Sequence, residues 1–269
     1  SSLARKAGIQ LGLLYYNDNQ PEKALAAYKQ VISNYPGSEE AKIALQDLKS
    51  VYIDLNDINA YASYVNSIGG NIRLEVGEQD SLTYIAAEKL FMRGDNDGAR
   101  RSLISYLQTF PEGAFSSNAN FYLGSIAFAK KEFDEAIQRF KSVIASGDTK
   151  FLEESVARTA EIEYLSKDYP AALESFKRLQ IVAENPENRQ AARLGIMRCA
   201  LQTGQQKDAL LAADELLKEP KLSPELEAEA RYVRAKAYIA QKQANKALAD
   251  LKELSKDTRL SLIHISEPT

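Results

Sequence analysis

The chain has 269 residues, with 34 lysines and arginines against 37 aspartates and glutamates, one cysteine, no tryptophan and 45% hydrophobic residues. A net charge of -3, with no basic run longer than two residues, leaves no electrostatic footprint for nucleic acid or an anionic membrane surface. No stretch approaches the roughly 18 apolar residues of a membrane span, and a lone cysteine excludes an internal disulfide, so stability must come from packing.

Leu3 to Tyr16 already reads as a helix, so Ser1 is expected to lie inside a longer protein. From there one phrase recurs: a helical run, a short polar turn, a small residue followed by an apolar one, then an aromatic or leucine four residues after the small one. The small residues are Ala24, Ala99, Ala136, Ala172, Ala209 and Ala247, with Tyr61 in the equivalent place of a degenerate second copy. A spacing of 36 to 38 residues accommodates two helices of four turns plus connections, which predicts seven helical hairpins. Pro21, Pro170 and Pro224 suit first-turn positions, where a missing N–H is no loss, and Pro36 and Pro111 suit helix exits. Gly8 and Gly12 form a small pair suited to close helix packing.

The second copy ends in Ile68, Gly69, Gly70, and Ile72 to Val76 reads as a short extended segment before Asp80 opens the next hairpin. An irregular joint near 66–80 is therefore expected, as a surface loop, a hinge or a binding edge. Residues 260–269 read as the translation of an adapter used to prepare sequencing libraries, so they are set aside from fold reasoning.

In the first copy, Leu11, Gly12, Tyr15 and Tyr16 precede Pro21, Ala24, Leu25, Tyr28, Val31 and Pro36. This resembles the tetratricopeptide repeat. Leu123, Gly124, Phe128, Phe133, Ala136, Ile137, Phe140 and Val143 repeat the pattern, as do Tyr164, Tyr169, Ala172, Leu173, Phe176 and Leu179. The resemblance covers residues 1–259 and implies an all-α fold, a right-handed α–α superhelix of about seven hairpins. The joints Tyr35-Pro36-Gly37-Ser38 and Phe110-Pro111-Glu112-Gly113 are similar to those of bacterial envelope repeat proteins. That group includes Tol-Pal-associated proteins, outer-membrane assembly lipoproteins and large Bacteroidales repeat proteins. The resemblance implies a periplasmic or outer-membrane-associated location.

Chemistry is sparsely provided for. The only histidine, His264, falls in the set-aside tail, which removes the usual base of nucleophilic and general acid–base schemes. Cys199 sits in an amphipathic run and reads as a small buried hydrophobe. Arg93 to Gly98 has a superficial calcium-loop look, but arginine stands where a ligand oxygen is needed, so it reads as a polar turn with Gly94 at a helix exit. No phosphate-cradling loop or zinc spacing is present, and no catalytic residue, metal or cofactor is expected.

What remains is a surface. The resemblance places residues of each first helix on a concave groove: Tyr16, Tyr84, Phe91, Phe121, Phe128, Tyr164 and Tyr232, with Phe91 and Phe128 the leading ligand contacts. Such rings suit capture of a helix or extended peptide, although the repeat also uses aromatics there for packing. Lys6, Glu88, Glu161, Arg198 and Lys236 alternate in sign and predict no strongly charged ligand. The expected function is a non-catalytic scaffold that holds a protein or peptide. The alternative is a regulatory or substrate-presenting arm of an enzyme.

Overall fold

Three residues separate the two helices of every hairpin, and one backbone device makes all seven turns. The computed structural model describes residues 1–70 and 72–257. Among the described residues there are fourteen helices, which follow one another in chain order. The first three pairs are α1 (Ser2–Asn17) with α2 (Pro21–Asn34), α3 (Glu39–Asp54) with α4 (Ile58–Ile68), and α5 (Val76–Met92) with α6 (Asn96–Thr109). Next in chain order come α7 (Ser116–Ala129) and α8 (Phe133–Ser146), followed by the pair α9 (Leu152–Leu165) with α10 (Tyr169–Val182). The last are α11 (Pro186–Gln202) with α12 (Gln206–Leu217) and α13 (Pro224–Ala240) with α14 (Ala244–Lys256).

The middle residue of each turn is left-handed: Asn19, Asn56, Gly94, Lys131, Lys167, Gly204 and Lys242. The residue after it donates its N–H to a carbonyl five positions back, as in Gln20 to Tyr15 at 2.8 Å and Asp168 to Glu163 at 2.9 Å. This geometry satisfies carbonyls that a helix end otherwise leaves orphaned. The same residue then starts the next helix. Asp57, Asp95 and Asp168 accept from the N–H groups of Ala60, Gly98 and Ala171 at 3.1, 2.9 and 3.3 Å.

All six recurring alanines are buried. Their small size lets paired helices close up, and the first helices answer with glycine where rings lie across them. A Cβ on Gly12 would stand 2.4 Å from the Tyr28 ring, and one on Gly195 would stand 2.4 Å from the Phe176 ring. Larger residues there would push the helices apart.

The chain divides into two compact units, 1–126 and 127–269, with the division inside α7. In the first unit Tyr28, Leu48, Val51 and Tyr61 form one core cluster, while Tyr84, Leu103, Tyr106 and Leu123 form another. In the second, Leu173, Phe176, Met197, Cys199 and Leu216 share one cluster. Tyr61 is buried where other hairpins have alanine. Accordingly α3 and α4 pack along less of their length than α1 with α2.

The extended reading of residues 72–76 is corrected: residues 72–75 form no strand, and Val76 already belongs to α5, four residues before Asp80. An isolated extended segment has no partner for its backbone groups, whereas Glu75 in a β conformation caps a helix. Gly69 and Gly70, both left-handed, end α4. The adapter-like segment 260–269, including His264, lies outside the described residues.

Candidate functional site

Counting back from the left-handed turn residue puts the hairpins in register. Three residues before it stand Tyr16, Ile53, Phe91, Phe128, Tyr164, Leu201 and Ile239. Ten before it stand Ile9, Gln46, Tyr84, Phe121, Ala157, Leu194 and Tyr232. Positions seven apart lie two turns apart on one helix face. The seven sequence-predicted residues therefore occupy two columns on the same face of the first helices.

In the first unit these rings are already engaged. The Tyr16 hydroxyl donates to Asp54, which also accepts from Lys89 at 2.8 Å and Arg93 at 3.0 Å, tying α1, α3 and α5. Tyr84 is only 2% exposed, and its ring stacks on Phe115 at 4.5 Å. Its hydroxyl donates to Glu88 at 2.7 Å and accepts from Asn118 at 3.1 Å. Burial pushes this phenol well above its ordinary value, so it stays protonated as a donor. Tyr84 is thus core. Phe91 packs against Tyr122 at 4.6 Å and Phe121 meets the same ring edge-on at 5.7 Å, both half-buried.

The second unit is different. Phe128 lies beside Phe133 at 5.9 Å, with the Arg158 guanidinium 4.9 Å above its ring. Tyr164 meets Tyr169 and Phe176 edge-on at 5.7 and 6.4 Å. Burial raises its phenol pKa while the nearby Arg198 charge opposes that rise. Tyr232 is 40% exposed beneath Lys236.

Between α9 and α11 a groove of about 360 Å³ opens, with Ala157, Tyr164, Leu165, Ala191 and Leu194 along its sides and Phe176 beneath. Ala157 is the reason. At that column position the other first helices carry Ile9, Gln46, Tyr84, Phe121, Leu194 and Tyr232, so α9 alone has a side chain as small as alanine. The rim is charged but balanced: Arg158 bonds Glu154 and Glu161, each at 2.9 Å, and Arg198 grips Glu229 at 2.6 and 2.7 Å. Such a site selects an apolar side chain rather than a formal charge. Only Tyr164 of the predicted seven lines it. Ala157, Leu194 and Gly195 were missed, although the alanine was legible as the smallest residue in its column.

Cys199 is buried, and burial pushes its thiol up to about 11, which makes it inert as a nucleophile at neutral pH. Among the described residues no cluster of histidine, cysteine, aspartate and glutamate side chains is arranged to hold a metal ion. No helix among them is long and apolar enough to cross a membrane.

Fold and groove together define a helical-hairpin repeat protein with a cleft sized for a side chain. Family models described as Tetratricopeptide repeat match residues 7–38 and 86–149, so the chain carries tetratricopeptide repeats in those segments. No curated protein sequence matches it. Among solved structures it is similar to YrrB, described as a TPR protein with an unusual peptide-binding site. That match has a TM-score of 0.50 and 18% identity, covering 67% of this chain and 89% of that one. It is also similar to the C-terminal part of a TPR repeat-containing protein from Cytophaga hutchinsonii. Here the TM-score is 0.50 with 15% identity, covering 93% of this chain and 97% of that one. At these identities the likeness concerns the fold.

Proposed function

We propose that this chain is a non-catalytic scaffold segment that captures a protein or peptide partner by inserting one leucine or aromatic side chain into the groove at Ala157. The hollow in an otherwise filled column carries the reading. A rigid aromatic floor and wall offer apolar area at little entropic cost, while paired arginines and glutamates on the rim supply polar contacts without net charge. Phe128 and Tyr232 extend the same helix face on either side in sequence. We place the protein at the bacterial cell envelope on the strength of its aromatic-proline joints and its spacing near 37 residues.

Panning a phage-displayed library of random dodecapeptides against residues 1–259 tests the capture. Enriched peptides should share a leucine or aromatic anchor. Ala157→Tyr, which restores the ring found at Tyr84, should abolish their binding and leave the melting transition within a few degrees of the parent. Retained binding in that folded variant would refute the groove. Fractionation of cells expressing the intact gene tests the location separately: recovery with the cytosol would overturn the envelope assignment and leave the groove untouched.

A further inference from the structure

The register also compares the faces on which one hairpin meets the next. Within the first unit α2 packs on α3. To that contact α2 presents Leu25, Tyr28, Lys29 and Val31, which stand one, four, five and seven residues after Ala24. In answer α3 carries Ala44, Leu48, Val51 and Tyr52, which stand twelve, eight, five and four residues before the left-handed Asn56. The apolar members share one core cluster, with Tyr28 1% and Leu48 0% exposed. The Lys29 ammonium lies 5.5 Å above the Tyr52 ring.

Both halves of that interface recur, separately, on α14 and α1. At the α2 positions, counted from Ala247, α14 carries Leu248, Leu251, Lys252 and Leu254. At the α3 positions, counted back from the left-handed Asn19, α1 carries Ala7, Leu11, Leu14 and Tyr15. Residue character matches along both sets, yet here the side chains meet solvent. Leu248 and Leu251 are 49% and 38% exposed, and Leu11 and Leu14 are 44% and 63% exposed. Leu3, one turn before Ala7, is exposed as well and lengthens the stripe on α1.

Elsewhere the same positions are covered. Four residues after the recurring alanine, Tyr28, Leu103, Phe140, Phe176 and Ala213 are all buried. Eight before the turn, Leu48, Ala86, Leu123, Thr159 and Ile196 are buried too. Single exposed leucines are ordinary, but a contiguous apolar stripe marks an interaction surface.

We propose that α14 of one molecule docks on α1 of a second molecule of this chain and rebuilds the α2–α3 interface between them. Leu251 takes the place of Tyr28, while Leu11 and Leu14 take those of Leu48 and Val51. Lys252 takes that of Lys29, over the face of the Tyr15 ring turned away from Lys23. The occupant is a second molecule because one chain carries both halves of the interface in matching order. The two surfaces differ, so the contact is heterologous, and each joined molecule keeps one face free for the next. None of these residues lines the groove at Ala157.

Sedimentation velocity of the full chain tests this over roughly a hundredfold range of concentration. The parent should sediment faster as concentration rises, with dimers followed by larger species. Leu11→Glu and Leu251→Glu each place a charge on one exposed face, so both should melt within a few degrees of the parent and stay monomeric. Mixed in equal amounts, they should form a dimer and nothing larger, because the intact α14 of Leu11→Glu meets the intact α1 of Leu251→Glu. A parent that stays monomeric throughout would overturn the proposal. So would a folded variant that still associates by itself, which would mean that one face pairs with its own kind, or a mixture that forms no dimer.

Discussion

The third hairpin, α5–α6, and the fifth, α9–α10, share a three-residue turn, a buried alanine (Ala99, Ala172) and a ring three residues before the turn (Phe91, Tyr164). They also share a carboxylate fourteen residues before it, Asp80 and Glu153, that accepts backbone N–H groups from the joint after the second helix. Asp80 takes Ala114 at 2.9 Å; Glu153 takes Glu184 at 2.8 Å and Asn185 at 3.1 Å. Their interiors diverge. Leu82, Tyr84, Ala86 and Leu90 fill the third hairpin, and its buried polar groups form a closed network in which Tyr106 donates to Asp80 at 2.5 Å. The fifth has Ser155, Ala157, Thr159 and Glu163 at those positions, which leaves a groove on one side and, on the other, a polar stripe whose two hydroxyls are buried without a partner while Glu163 is held by Ser175 and Lys141. A hairpin in a repeat array must match only its neighbours, so one copy can give up packing without unravelling the rest. The proposed groove falls where the fifth hairpin departs from the internal pattern.

The sharpest way to break this contrast is to hollow the filled hairpin. Tyr84→Ala should cost about 3–5 kcal/mol in denaturant unfolding, because it opens a cavity, strands the Asn118 amide and leaves Glu88 with Tyr122 alone of its two phenol donors. A loss below about 1 kcal/mol would mean that the ring is not core. The turns offer a reciprocal pair. Lysine in a left-handed conformation is strained by about 1–2 kcal/mol relative to glycine, so Gly94→Lys should destabilise and Lys167→Gly should stabilise by about that much. Opposite signs in thermal melts check the shared geometry.

Ser155→Ala gives the fifth hairpin the residue of its siblings and removes an unpaired hydroxyl, so a gain of about 1 kcal/mol is expected; a loss would show the hydroxyl to be satisfied. The smallest effect concerns Glu153. Burial raises its pKa, but hydrogen bonds from Glu184, Asn188 and Asn185 and the Arg189 charge outweigh it, so the carboxyl titrates below its ordinary value. A depressed folded pKa stabilises fully above the unfolded value of about 4.3 and is lost as pH falls through the folded one. Glu153→Gln should therefore lower the melting temperature at pH 7, and the gap to the parent should narrow below about pH 4. A gap that persists unchanged at pH 3 would assign the effect to shape rather than charge.

The hairpins, their turns and their pairing alanines were legible in the sequence, because they rest on interactions within a few residues and recur, the turns seven times and the alanines six. Pro21, Gly94 and Ala136 stand where their backbone and size requirements put them. Only the tertiary structure decided which rings are exposed: Tyr84 and Tyr232 occupy the same column, yet one is core and the other meets solvent. That difference depends on what a neighbouring hairpin places against each face. The hollow at Ala157 and the stripe from Ser155 to Glu163 were written in the sequence as residue types, but small and polar residues also fill ordinary helix surfaces. Burial against α8, α10 and α11 is what turns them into a groove and a buried stripe.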